Sequence, residues 1–140
     1  MDTAPQVPPF DSWSDSIEAE GTFLSGPVIG NSFQGYSGTG FVEYQGEKND
    51  FLEWTVNVRD SGDYILEFRY ALFDNWARPL EISVDGVVAQ AHWAFPGTGG
   101  WSSWNTAKMA LILPAGEAKI RAKAVGLSGP NVDQLRLVHQ

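Results

Sequence analysis

The chain has 140 residues, 9 basic against 17 acidic side chains, a formal net charge of −8 and no cysteine. This length fits one domain with a substantial core, and the missing thiols exclude disulfides, thiolate catalysis and cysteine-based zinc sites while leaving the compartment open. The acidic balance weighs against nucleic acid and anionic membranes as partners, because long-range steering towards either would be repulsive.

The first fifteen residues read as a linker stub. Pro5, Pro8 and Pro9 favour an extended connection, and the stretch lacks the basic start, apolar centre and cleavage site of an intact secretory signal. The folded domain is predicted to run from Ser16 to Gln140, as a module cut from a larger chain. At Ile17-Glu18-Ala19-Glu20 an extended backbone would set both glutamates on one face, a poor surface arrangement unless a cation lies between them. Calcium, which typically collects about six to eight oxygens, would suit them, with Asp133 completing the shell. Solvated glutamates are the plainer alternative. Glu47-Lys48-Asn49-Asp50 reads as a charged turn.

Strand periodicity is clearest where Trp54, Val56 and Val58 alternate with Thr55 and Asn57. Asp60-Ser61-Gly62-Asp63 then turns the chain into Tyr64, Leu66, Phe68 and Tyr70, a hairpin pattern. Further strands are predicted over Leu80-Ile82-Val84, from Val87 after an Asp85-Gly86 turn, and over Met109 to Leu113, Ile120 to Val125 and Val132 to Val138. No segment has a helical period. Short strands at fairly regular spacing imply an all-β fold, a two-sheet antiparallel sandwich closed as a jelly roll.

The stretch Gly97-Thr98-Gly99-Gly100-Trp101-Ser102-Ser103-Trp104 puts two indoles in a short, polar, glycine-rich segment. Such a loop holds a ring at a rim, where sugars are read by stacking. Catalytic constellations are poor. His92 and His139 are the two histidines, too few for a multi-histidine metal site, and no pair of carboxylates stands out as acid and nucleophile.

Ile17 to Glu20, Gly35-Tyr-Ser-Gly-Thr-Gly-Phe-Val42, Phe68-Arg69-Tyr70-Ala71, Arg78-Pro79, Thr98 to Trp104 and Gly129-Pro-Asn-Val-Asp-Gln-Leu135 occur in an order that resembles carbohydrate-binding modules of family 35 and the related family 6. The resemblance covers nearly the whole domain. It implies a calcium-containing β-jelly roll appended to plant-cell-wall hydrolases, with its ligand site in the loops at one end. Carried over by residue, it makes Glu18, Glu20 and Asp133 the calcium ligands, helped by a backbone carbonyl between Ser37 and Gly40. It makes Asn131 the amide that bonds sugar hydroxyls and Trp101 the stacking ring. Tyr36 or Phe41 could form the opposite wall, Phe41 being equally suited to the core, and Trp76 and Arg78 are secondary ligand candidates. Arg78 fits an ion pair as well as a ligand contact, and Trp104 reads as core.

The expected function is non-catalytic recognition of plant polysaccharide by a secreted, monomeric module tethered to a glycoside hydrolase. β-Mannan or a related hemicellulose comes first, since the loops offer only Arg78 and Lys108 as basic donors. Uronic acid sugars (glucuronic or unsaturated galacturonic acid), bound with calcium assistance, are the alternative ligand. A small glycan-degrading enzyme and a protein-interaction sandwich are the alternatives of other classes.

Overall fold

The computed structural model describes residues 14–46, 49–74, 78–126 and 128–140. Eleven strands run in chain order: β1 Ser14–Glu18, β2 Phe23–Ser25, β3 Val28–Gly30, β4 Phe41–Glu43, β5 Phe51–Val58, β6 Gly62–Leu72, β7 Leu80–Val84, β8 Val87–Trp93, β9 Gly100–Leu113, β10 Gly116–Ala124 and β11 Asn131–His139. One sheet has the order β3-β4-β11-β6-β9 with β1 also against β11, and the other β2-β5-β10-β7-β8. Every pairing is antiparallel. The all-β sandwich expected from the alternating runs is the observed architecture.

Period-two alternation explains the facing surfaces. Leu52, Trp54, Val56 and Val58 of β5 turn inward with Ala118, Ile120, Ala122 and Ala124 of β10, and Tyr64, Leu66, Phe68 and Tyr70 of β6 meet them from the other sheet. Trp54 stands opposite Ile120 with Ala118 and Ala122 on the diagonals, so small side chains flank the large indole. Its ring centroid lies 6.2 Å from that of Phe68, and Phe68, Trp93, Phe95 and Tyr70 continue the aromatic core.

The ends of the strands position the site. Asn131 pairs with Ala71, and Leu72 with Gly100, at the same end of the first sheet. Gly30 pairs with Phe41 beside the Val132–Val42 pair. The 31–40 and 94–99 connections, with the described parts of those that follow β6 and β10, therefore gather at one end.

Two readings of the sequence change. The predicted strand over Met109 to Leu113 is the last part of β9, which begins at Gly100. The Glu47–Asp50 turn lies partly outside the described residues, but Asp50 is buried and its carboxylate accepts the Gln45 N–H at 3.2 Å, so it is not a solvated turn residue.

Candidate functional site

The position of Trp101 follows from an irregularity in β9. Ala71 pairs with Trp104 while the next residue, Leu72, pairs with Gly100, so Trp101, Ser102 and Ser103 form a bulge with no partner on β6. A bulge of this kind re-aims side chains that a regular strand would commit to one face. Thr98 fixes the approach, its N–H donating to the Leu72 carbonyl at 2.8 Å and its hydroxyl accepting the Leu72 N–H at 3.0 Å. The turn passes close to the neighbouring chain at Gly97, where a Cβ would lie 2.2 Å from the Asp74 carbonyl oxygen, so a side chain there has no room.

Around Trp101 the structure assembles an aromatic ring, a cation and an amide. The Trp101 indole is half-buried, and the Phe33 ring lies 5.9 Å from it. The Arg78 guanidinium stands 5.4 Å from the indole centroid, within cation–π range. Arg78 is also tied down: Nε and Nη2 each donate to Asp74 Oδ2 at 2.6 Å, and Nη1 donates to the Gly129 carbonyl at 3.1 Å. Two residues beyond Gly129, Asn131 is only 6% exposed, yet its side-chain amide makes no hydrogen bond to the described residues. Its polar atoms are not sealed from solvent, so the amide stays open to a hydrogen-bonding ligand.

A second cluster lies beneath the 31–40 loop. Carboxylate oxygens of Glu18, Glu20 and Asp133 come within 4.8 Å of one another. The glutamates converge by a route other than an extended pair: β1 ends at Glu18 and Ala19–Gly21 forms a 3-10 turn anchored by buried Ala19. Asp133 reaches the cluster because it is the extra residue of a bulge between Val132 and Gln134.

The loop wraps this cluster with donors. Ser37 N–H donates to Asp133 Oδ1 at 2.9 Å and its hydroxyl to Glu18 Oε1 at 2.8 Å, while Thr39 N–H donates to Glu20 Oε2 at 2.9 Å. Gly38 between them has φ +65, and a Cβ there would lie 2.5 Å from Glu20 Oε2, so the loop closes over the carboxylates only with glycine. Glu20 Oε1 is buried with no hydrogen-bond partner. Three converging carboxylates with an unsatisfied oxygen are a donor set suited to a hard cation.

The remaining sequence-derived candidates separate. Tyr36 is half-buried with its ring 5.6 Å from Phe41. Phe41 is fully buried, so it has no face to offer a sugar; it forms the floor on which Phe33, Tyr36 and Trp104 rest and leaves the ligand set. Trp76 lies outside the described residues. Trp104 is half-buried and holds the loop, donating its indole N–H to the Gln34 carbonyl at 2.8 Å. Lys108 is remote from the loops, in the middle of β9 and 3.9 Å from Glu67. His92 sits exposed on β8 and His139 stacks on Tyr64 at 4.6 Å. Phe33 was not singled out by the sequence, since a lone aromatic in Asn31-Ser32-Phe33-Gln34 carries no periodic signal.

The family description "Carbohydrate binding module (family 6)" matches residues 21–139. A family 35 carbohydrate binding module from Clostridium thermocellum is 34% identical, with 92% of this chain and 100% of that one superposed at a TM-score of 0.88. A family 35 module from Paenibacillus barcinonensis is 31% identical, covers 90% and 99% of the two chains and gives a TM-score of 0.86. An exo-beta-D-glucosaminidase from Amycolatopsis orientalis is 40% identical over 119 residues, which are 84% of this chain and 11% of that enzyme. The chain thus spans about a tenth of the length of the curated relatives it matches.

Proposed function

The chain belongs to the carbohydrate binding modules of family 35, and we propose that it binds a plant cell-wall polysaccharide at the end of the sandwich formed by Trp101, Phe33, Asn131 and Arg78. It is a binding module and not an enzyme, since its matches of full coverage are isolated binding modules. The observation that carries the reading is a half-buried indole, extruded by the β9 bulge at the same end of the first sheet as Asn131. Trp101 would stack on the C–H face of a pyranose, and Asn131, which both donates and accepts, would bond its hydroxyls.

Arg78 favours a neutral sugar. Its charge is met by Asp74 and three of its five N–H groups already donate, so a carboxylate would share the guanidinium with an existing ion pair. β-Mannan or a related hemicellulose is therefore the first choice. A uronic acid sugar is the second reading, favoured by the guanidinium lying 5.4 Å from the Trp101 ring. One or two stacked sugars with solvent-competed hydrogen bonds deliver about 5 to 7 kcal/mol, roughly 0.1 mM to 10 µM.

Glu18, Glu20 and Asp133 would hold a structural calcium ion, whose charge would offset the mutual repulsion of the carboxylates. A secreted, monomeric module linked to a glycoside hydrolase completes the reading, and tethering would raise the enzyme's local concentration on its polymer. Affinity electrophoresis on mannan, glucuronoxylan, pectin and cellulose tests it. Retardation by mannan supports the neutral ligand, retardation by glucuronoxylan or pectin alone supports the uronate, and retardation by none removes the proposal.

A further inference from the structure

Arg69 stands on β6, an interior strand of the first sheet, paired with Gln134 on one side and Thr106 on the other. Its Nη1 donates both to Asp133 Oδ2 at 2.5 Å and to the Gly35 carbonyl at 2.9 Å. Its guanidinium carbon lies 5.4 Å from the Trp104 ring. One side chain therefore touches a member of the acidic cluster, the backbone of the 31–40 loop and the indole that holds that loop. Among the described residues, no other side chain joins all three.

The loop is in turn a strap between two sites. Ser37 and Thr39 bond the carboxylates at one end, and Phe33 leans on Trp101 at the other. Between them the Gln34 carbonyl accepts from Trp104 and the Gly35 carbonyl from Arg69. The charges are matched as well: three carboxylates against one guanidinium leave two negative charges, which a divalent ion neutralises. Asp133, fully buried, is shared between the cluster and Arg69, so an ion entering the cluster and Arg69 act on the same oxygens.

We propose that Arg69 is a positioning residue that couples the acidic metal centre to the aromatic loop, so that divalent-ion uptake and sugar binding strengthen each other. This rests on the reading of the two sites given above. Linkage requires the effect to be reciprocal: an ion that orders the strap lowers the cost of ordering it for sugar, and bound sugar raises ion affinity by the same factor. Arg69 carries the coupling because one nitrogen bonds both Asp133 and the Gly35 carbonyl while the guanidinium lies by the Trp104 ring, a flat contact that the compact ammonium of lysine does not reproduce.

The test uses calcium as the probe ion on the parent protein, Arg69→Met and Arg69→Lys. The first readout is the Trp104 indole N–H resonance, assigned with Trp104→Phe, followed through a calcium titration. The second is mannohexaose and aldouronic acid affinity, measured by calorimetry in calcium and in chelator. In the parent, calcium is expected to shift the Trp104 resonance and tighten sugar binding about threefold or more. In Arg69→Met and Arg69→Lys, calcium should still be taken up, but, with only Ser37 and Thr39 left to tie the loop to the carboxylates, the resonance shift and the calcium dependence of sugar affinity should both fall to about half or less. A parent whose Trp104 resonance and sugar affinity ignore calcium overturns the coupling, as do variants that keep the parent's calcium response. If the parent binds neither sugar, the polysaccharide reading fails by itself, and the indole signal alone decides the role of Arg69. If Arg69→Met does not fold, Arg69→Lys and the parent titration still decide it.

Discussion

The ring of Phe33 lies 5.9 Å from that of Trp101, the two planes 31° apart, and this contact joins the 31–40 loop to the β9 bulge. Stacking energy depends on the ring being held in place before the sugar arrives. Trp101→Ala is expected to weaken oligosaccharide binding by about 30-fold or more, close to 2 kcal/mol. Phe33→Ala removes only the support and should weaken it by about 3- to 10-fold. Calorimetry on both variants separates the roles, and equal losses would mean that Phe33 contacts sugar directly.

Asn131 offers a cleaner separation of binding from stability. Its amide makes no hydrogen bond to the described residues although the residue is 6% exposed, so removing it breaks no hydrogen bond to them. Asn131→Ala should leave the melting temperature within about 2 °C of the parent, because no hydrogen-bonded partner is orphaned. Sugar affinity should fall about tenfold, as expected for a lost hydrogen-bonding pair. A large drop in melting temperature with unchanged sugar affinity would make Asn131 a structural residue.

Alkaline pH should expose the burial of Tyr44. Its phenol donates to the Ala122 carbonyl at 2.8 Å, and burial first, then the nearby Asp50 carboxylate, holds its pKa well above the ordinary tyrosine range. Burial shifts Tyr70 in the same direction. A phenol that keeps its proton in the folded state but loses it on unfolding makes the unfolded state gain as pH rises past about 10. This contribution is constant below about pH 10 and falls above it. Urea midpoints at pH 8, 10 and 11 should decline only over the last interval, and the 295 nm absorbance of Tyr44 should appear with unfolding. A smooth titration in the folded protein would contradict the burial.

Much of the sandwich could be read from alternation. β5, β6, β7 and β10 each put apolar residues at every second position, and a packed sheet face enforces that pattern. The opening strands β2, β3 and β4 have three residues each, too few for a period to declare itself. β9 was hidden because the Trp101–Ser103 bulge interrupts its register, so its first half looked like a loop. The convergence of Glu18, Glu20 and Asp133 was legible from the like charges of the two glutamates and from the family resemblance. The coupling role of Arg69 was not, because it depends on which backbone oxygen a folded loop presents. Phe41 shows the limit of reading rings beside glycines: the same motif that leaves Tyr36 half-buried on one side buries Phe41 completely on the other.

The acidic centre makes the sharpest stability prediction. If calcium binds only the folded protein, an excess of about 100-fold over its Kd adds about 2.7 kcal/mol, or roughly 5 to 10 °C in melting temperature for a domain of this size. Glu20→Gln should abolish that shift. It should also raise the calcium-free melting temperature slightly, because Glu20 Oε1 is buried without a partner and the variant removes one of three converging charges while keeping an acceptor for the Thr39 N–H. Asp133→Asn should also lose the shift but lower the calcium-free value, since it takes the counter-charge from Arg69 at 2.5 Å, a loss of about 1 kcal/mol for a partner that solvent still reaches. Opposite signs for two carboxylates of one cluster distinguish a metal site from an acidic patch held by hydrogen bonds. Thermal melts in calcium and in chelator measure both signs, and a parent protein indifferent to calcium would remove the metal from the centre.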